Sequence, residues 1–435
     1  MKKKYRILSS NGIDEKLFVN INGHNQYVFI RGKDINNPII LNLHGGPANP
    51  DAFFTYEFAK EIIDDYVYVS WDQRGCGRTY YQNKRIDSKN KTVDFEQAIK
   101  DVDELIKYLC KRFNKDKVII MGHSYGSLLG INYISKHPKY VERYIGIGQT
   151  VSIMDTQEQN YNEIIGFAKK DDPKIDKLTK AYQKLREHFS LKNYMVFQKF
   201  ATPYLIKNTP NLKQKNQIKL ILSSPDLAFS DIRWLIGMLN WKKHYTRNKK
   251  LLDYTFSANV YDAGNTFTVP MYFISGEYDK KCHVGLLRKY YETISAPDKK
   301  LVIMKNNGHS PQVHDPVSFA IEVKKLLQNK NLISKKQCEN CGFEYEFEEF
   351  ANLIAFCPCC NAYDHLSCDY GFGPIVPCRI YHGSNVVGEV SYNGNSQHRY
   401  RIDSDVFNLH TVLKHSYLEA LYEAKDMIFK FINER

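Results

Sequence analysis

The stretch Gly122-His-Ser124-Tyr-Gly126 sets a hydroxyl between two glycines at second-neighbour spacing. A serine hydroxyl is a weak nucleophile until a base takes its proton and fixed donors hold the negative oxygen that its attack creates. The apolar run Val118-Ile-Ile-Met121 stops abruptly at this stretch, and a helix-like run, Ser127 to Lys136, follows at once. A strand that becomes a helix within five residues leaves the central residue at the apex of a tight corner. Gly122 and Gly126 remove side chains where the neighbouring segments would collide, so Ser124 is the candidate nucleophile with its hydroxyl exposed.

Two other strand ends offer a base and a group to orient it. His309 follows the apolar run Lys300-Leu-Val-Ile-Met304, and Asp279 follows Val269-Pro-Met-Tyr-Phe-Ile-Ser275. Crossover connections put the carboxyl ends of parallel strands on one edge of a sheet, so both should share that edge with Ser124. We assign His309 as general base and acid and Asp279 as the carboxylate that holds the imidazole, with His123, His314 and Glu277 as the rivals. The negative oxygen of a tetrahedral intermediate calls for backbone donors. Tyr125 N–H is one, and the other falls in His44-Gly-Gly-Pro47, where Gly46 is favoured and Pro47 has no N–H to give.

The elements that must position these residues form a rhythm. Lys16–Asn22 and Gln26–Arg31 read as strands joined at Asn22-Gly23, a hairpin turn. Ile39–Leu43 and Tyr66–Trp71 read as buried strands, Asp94–Phe113 as an amphipathic helix with its apolar stripe at three-to-four spacing, and Tyr144–Ile147 as another strand. Nearly continuous apolar strands alternating with helices indicate a parallel sheet covered on both faces. From Val151 to about 265 the strand signal vanishes, and Lys, Asn, Tyr and Phe with scattered prolines suggest a helical cap inserted over the site. The sheet pattern then resumes and closes with a helix at Val317–Gln328. We expect an α/β architecture with residues 1–150 as the first part of the core, 151–265 as cap, 266–330 as the second part of the core, and 335–435 as a separate region.

Three stretches in order, Leu43-His-Gly-Gly-Pro47, Trp71-Asp-Gln-Arg-Gly-Cys-Gly-Arg78 and Gly122-His-Ser-Tyr-Gly126, resemble the prolyl aminopeptidase (proline iminopeptidase) family of α/β-hydrolases. The likeness runs over residues 1–330, weakly through the cap, and implies hydrolysis of an amino-terminal residue, typically proline, through an acyl-enzyme. It implies no catalytic cofactor. Two departures touch the substrate side: Ala48-Asn49 stands where the family continues with glycine, and Thr79 replaces a serine. A peptide or a small amide or ester is the expected substrate, with an esterase or amidase on the same machinery as the alternative. A non-catalytic protein- or nucleic-acid-binding chain is the more remote one.

An aminopeptidase must also hold a cationic amine, which calls for a carboxylate near the pocket. Glu158, just after a strand end at the start of the cap, is the expected anchor, with Asp155 as its alternative. Aromatic residues such as Phe53, Phe54, Tyr125, Phe197 and Trp234 are candidates to surround the bound residue, and Asp72 with Arg74 a candidate structural ion pair.

Composition bounds the remainder. The net charge is +13, but the lysines are scattered and the denser runs, such as Lys242-Lys-His-Tyr-Thr-Arg-Asn-Lys-Lys250, are short, so a solvated basic surface is expected rather than a nucleic-acid face. No signal-peptide-like or membrane-spanning apolar stretch is seen, which suggests a cytoplasmic protein with no membrane partner. Seven of the ten cysteines fall between Cys338 and Cys378. Cys338-Glu-Asn-Cys341 and Cys357-Pro-Cys-Cys360 have the spacing of a structural zinc ribbon, with Cys338, Cys341, Cys357 and Cys360 as ligands and Cys359 as an alternative. Acidic residues crowd the hooks, so a protein partner or a homo-oligomer through this region fits better than nucleic acid. Apolar residues from Leu409 to Phe431 suggest a closing amphipathic helix.

Overall fold

Asn22 and Gly23, at φ 47° and 80°, turn strand β1 (Ile13–Ile21) back onto β2 (His24–Gly32), with Ile21 facing His24 across the two-residue loop. Left-handed angles at both loop positions match the twist of the flanking strands, which is why Asn-Gly makes this turn. The hairpin opens an eight-stranded sheet completed by β3 (Ile39–Leu43), β4 (Val67–Trp71), β5 (Val118–His123), β6 (Val141–Ile147), β7 (Met271–Gly276) and β8 (Lys299–Met304). The spatial order is β1-β2-β4-β3-β5-β6-β7-β8; β2 is antiparallel to its neighbours, and all pairs from β4 to β8 are parallel.

The structure is a computed structural model. It describes residues 7–327 apart from 8, 170 and 210–216, and beyond them 333–337, 344–348, 353–356, 363–367, 378–382, 385–392, 400–404 and 409–413. The chain divides into two units, Met1–Lys324 and Lys325–Arg435.

Within the first unit, every residue of β3, β4 and β7 is buried, as strands covered on both faces must be. The helix Phe95–Phe113 covers part of the sheet. The Asp94 side chain accepts the Gln97 N–H at its start, and Asn114 at φ 51° ends it. Its stripe of Ile99, Val102, Leu105, Ile106 and Leu109 is buried, at roughly 1.5–3 kcal/mol for each large aliphatic side chain. Among the described residues between β6 and β7 lie seven α-helices and no named strand: Ile153–Phe167, Pro173–Glu187, Leu191–Lys207, Gln217–Ser223, Phe229–Met238, Trp241–Arg247 and Lys249–Ser257. The first three share an apolar core around Ile164, Leu178, Leu185 and Phe197. The chain is thus an α/β-hydrolase sheet with a helical cap.

Buried ion pairs join cap and core. Arg78 pairs with Asp231 at 2.5 Å and donates to the Asp226 carbonyl, while Asp226 also takes Arg31 at 3.2 Å. Deleting one member of such a pair leaves a buried charge and costs about 3–5 kcal/mol. Arg74 does not pair with Asp72, as the sequence suggested, but with Asp101 on the helix Phe95–Phe113 at 2.6 Å. Asp72 instead accepts the Arg78 N–H at 2.8 Å and so tightens the turn after β4.

The second unit corrects the sequence reading. It contains β9 (Ile333–Gln337) paired antiparallel with β10 (Glu344–Glu348). A six-stranded sheet follows, with β11 (Leu353–Phe356), β12 (Tyr363–Ser367), β13 (Cys378–His382), β14 (Asn385–Tyr392), β15 (Tyr400–Ser404) and β16 (Leu409–Leu413) in the order β12-β11-β13-β14-β15-β16. Its pairs are antiparallel except β11 with β13. The zinc-ribbon expectation does not stand: among the described residues no group of His, Cys, Asp or Glu is placed to hold a metal ion. Ladder hydrogen bonds across six strands link the described backbone here. Cys338, Cys341, Cys357, Cys359 and Cys360 lie outside the described residues. Of the stretch Leu409–Phe431 expected as a helix, Leu409–Leu413 forms strand β16 on the β15 edge, and the remainder lies outside the described residues. Among the described residues no helix is long and apolar enough to cross a membrane.

Candidate active site

Ser124 stands between β5 and the helix Tyr125–Lys136 at φ 54° and ψ −121°, a strained conformation for a residue with a side chain. The corner is held from both sides. A Cβ on Gly126 would lie 1.9 Å from the Leu43 carbonyl oxygen, and one on Gly122 would lie 2.4 Å from the Gly126 oxygen. The Ser124 N–H is bonded to the Ile147 carbonyl at 2.9 Å, so β6 fixes the turn. Tyr125 opens the helix, and a helix's first N–H groups have no intrahelical acceptor.

Asp279 and His309, just beyond β7 and β8, meet on the same edge. His309 Nδ1 lies 3.0 and 2.9 Å from the two Asp279 oxygens. Asp279 is fully buried and also accepts the Lys281 and Cys282 N–H groups at 2.9 and 2.8 Å. Burial pushes its carboxyl up, but His309 and these two amides outweigh that and hold it below the ordinary value. Gly148, at φ 49°, lets the pair sit there: a Cβ would come within 3.1 Å of both the Asp279 Oδ2 and His309 Nδ1 atoms. His123, whose pKa burial lowers to about 3, donates Nε2–H to the His309 carbonyl at 2.9 Å and so steadies the base's backbone.

Ser124 and His309 line a cavity of about 330 Å³. Its other wall is the loop after β3, with Gly45 and Gly46, and beyond it Asn42, Asp51, Phe54 and Phe58. His44 braces that loop from below. Its Nδ1–H donates to the Gly45 carbonyl at 2.8 Å, and its Nε2 accepts the Gln73 N–H at 3.2 Å. Burial lowers its pKa to about 4, which keeps it in the neutral form that this pattern requires. The turn after β4 therefore supports the site without entering it.

Asp51 is a feature the sequence reading missed. Its carboxylate takes both Asn42 Nδ2 contacts at 3.1 Å, and burial raises its pKa to about 6. A signal was present. Asn42 interrupts the apolar strand Ile39-Ile-Leu-Asn-Leu43, and an amide buried in such a strand needs a partner. Cys282 was also overlooked; its thiol contacts the Ser124 side chain and the Thr150 hydroxyl.

Other expected residues land elsewhere. Glu158 lies outside the cavity lining in an exposed ion pair with Arg186 at 3.0 Å, because its turn of the helix Ile153–Phe167 faces the neighbouring cap helix. Phe53 is buried and packs on Phe54, so Phe54 rather than Phe53 reaches the cavity. Trp234 is buried outside the lining, and its indole N–H donates to the Ala48 carbonyl at 3.3 Å. Phe197 belongs to the cap's own core. Of the rivals, Glu277 accepts the Asn306 N–H at 3.2 Å, and His314 is partly buried with its pKa lowered by burial.

Sheet order, elbow and cap define an α/β-hydrolase of the serine-hydrolase kind. The profile of a family described as serine aminopeptidase, S33, matches residues 54–316, and the chain belongs to that family. A probable aminopeptidase, YbaC, of Bacillus subtilis is 27% identical over 322 residues, covering 69% of this chain and 92% of the relative. A proline iminopeptidase of Saccharolobus solfataricus is 22% identical over 334 residues, covering 75% of this chain and 94% of that one. Among solved structures, a proline iminopeptidase of Mycobacterium smegmatis superposes with a TM-score of 0.51 at 15% identity, over 72% of this chain and 98% of that one. At that identity the likeness is one of fold.

Proposed function

We propose that this chain is a serine aminopeptidase that releases a small amino-terminal residue, proline or another apolar one, from short peptides. In this reading Ser124 Oγ attacks the carbonyl carbon of the first peptide bond while His309 Nε2 takes its proton, and Asp279 holds the imidazolium that forms. The oxyanion is met by the Gly46 and Tyr125 N–H groups. His309 passes the proton to the departing amine, and water then attacks the acyl-enzyme with His309 again as base, returning Ser124 and freeing the amino acid.

The observation that carries the aminopeptidase reading is the Asp51 carboxylate, which lines the same cavity as Ser124 and His309. Apart from Asn42 it has no side-chain hydrogen-bond partner among the described residues, so it is available to the free ammonium of an amino terminus. The cavity's size, about 330 Å³, suits one small residue rather than a long acyl chain. In this reading Asp51 takes the role that the sequence reading gave to Glu158.

Hydrolysis of a prolyl-arylamide, its N-acetylated form and a short-chain aryl ester, with Ser124→Ala as the blank, tests the proposal. Turnover concentrated on the free prolyl amide is expected. Equal turnover of the acetylated amide would remove the amine clamp, and turnover of the ester alone would leave an esterase.

A further inference from the structure

A second cavity of the first unit, about 920 Å³, lies apart from the one at Ser124. It opens between the helix Gly77–Asn83 and the cap helices Phe229–Met238 and Trp241–Arg247. Six cations line it, Lys84, Lys89, Arg233, Lys242, Lys243 and Arg247, and its described lining contains no carboxylate. Some other cations on this unit find acids, as Lys33 does with Asp64, Lys107 with Asp103, Lys249 with Asp253 and the half-buried Lys280 with Glu163. None of the six has an ion-pair partner among the described residues.

The two arginines rest on rings instead. Arg233 lies 4.9 Å from the Tyr81 ring centre, and Arg247 lies 4.3 Å from that of Tyr80 and 5.6 Å from that of Trp234. A guanidinium held over a ring remains charged, and its N–H donors can grip phosphate oxygens in pairs. The lysines around them are exposed and can close on a bound anion from several directions. The floor is apolar and buried, with Tyr80 and Trp234. His244 beside them is buried, and burial lowers its pKa to about 4, so it adds no charge near neutral pH.

We propose that this groove binds a small molecule carrying two or more phosphate charges, through the six cations on an aromatic floor. Its bounded volume lies in the range of small-ligand sites, which favours a compact polyanion over a nucleic-acid strand. The inference is independent of the peptidase reading. The groove also touches the loop that carries Gly46, since Trp234 donates to the Ala48 carbonyl and His244 is bonded to the Pro47 carbonyl. These two bonds fall one and two residues from the proposed oxyanion donor.

The test is a calorimetric titration of the full chain with sodium tripolyphosphate at about 150 mM salt, where long-range attraction between exposed charges is largely screened. One saturable site is expected, accompanied by a change in tryptophan fluorescence. Arg247→Gln and the exposed Lys243→Gln should each weaken binding at least about tenfold, the effect of losing a hydrogen bond to a charged group. The Lys174→Gln/Lys177→Gln pair, on an exposed face of another cap helix, should leave it unchanged. Failure to saturate overturns the proposal, as does equal weakening by the control pair, which would mean diffuse attraction by the chain's net charge of +13. Binding of a single-stranded RNA oligonucleotide without tripolyphosphate would replace it with a nucleic-acid face.

Discussion

Two cavities of the first unit handle charge in opposite ways. At Ser124 the charged groups are few and held: Asp279 by two backbone amides and an imidazole, Asp51 by a buried asparagine. At the groove near Trp234 the cations are many, and the lysines among them are exposed and unpaired among the described residues. The first arrangement suits bond breaking, which needs groups fixed to a fraction of an ångström, and strand ends packed against glycines supply that rigidity. The second suits attraction of a charged ligand, which tolerates long, mobile side chains. Stacking on Tyr80, Tyr81 and Trp234 gives its two arginines a defined place without neutralising them.

The largest test of this contrast lies at Asp279. Asp279→Asn should lower kcat by about 10⁴, because an amide presents the wrong partner to His309 Nδ1. Steady-state kinetics on the best substrate measure it, and a fall of less than tenfold would transfer the orienting role to another acid such as Glu277. Next comes Asp51. Asp51→Asn should raise KM for free-amine substrates by about 10–100-fold, the loss of one charge-assisted contact, while leaving an aryl ester within a few-fold.

The pH dependence sharpens the same point. Burial raises the Asp51 carboxyl to about 6, so it is ionised above that pH and neutral below it. The ratio of kcat/KM for the free amide to that for the ester should therefore fall as pH drops through about 6 and level off above it. His123, His309 and Lys281 line the same cavity, and Tyr68 and Asp72 interact with Asp51 electrostatically, so Asp51→Asn is the control that should flatten the curve. A ratio that still falls in that variant would assign the titration to one of these neighbours. The smallest effect is expected at Trp234→Phe, which removes the indole bond to Ala48 but keeps a ring. It should change kcat only a few-fold, and no change at all would show that the groove and the Gly46 loop are energetically separate.

Much of the sheet was legible because its strands are short apolar runs ending in glycine-rich turns. Ile39–Leu43 matches β3 residue for residue, and the Asn22-Gly23 hairpin closes as read. The helix Phe95–Phe113 was legible for a similar reason, since a sustained stripe over nineteen residues admits one period. The second unit was misread because two kinds of local signal misled. Cysteine spacing suggested a metal module, and helical spacing of apolar residues from Leu409 to Phe431 suggested a helix whose first five residues instead pair with the β15 edge. Glu158 and Trp234 were placed near the substrate on their position in the cap, but which face of a cap helix meets the core is set by packing between helices far apart in sequence.

By itself, then, the sequence determined the elements and the chemical groups at their ends: the glycines around Ser124, and the aspartate and histidine beyond the last two strands of the first sheet. Those are local properties, carried by backbone conformation and apolar periodicity within a few residues. Only the tertiary structure decided which groups meet. It joined Asp279 to His309 thirty residues away, turned Asp51 into the cavity through its bond to Asn42, and gathered Lys84 and Lys89 with Lys242, Lys243 and the two stacked arginines into one groove. Such encounters depend on how the cap folds back over the sheet, where buried pairs such as Arg78 with Asp231 hold residues that the chain itself keeps far apart.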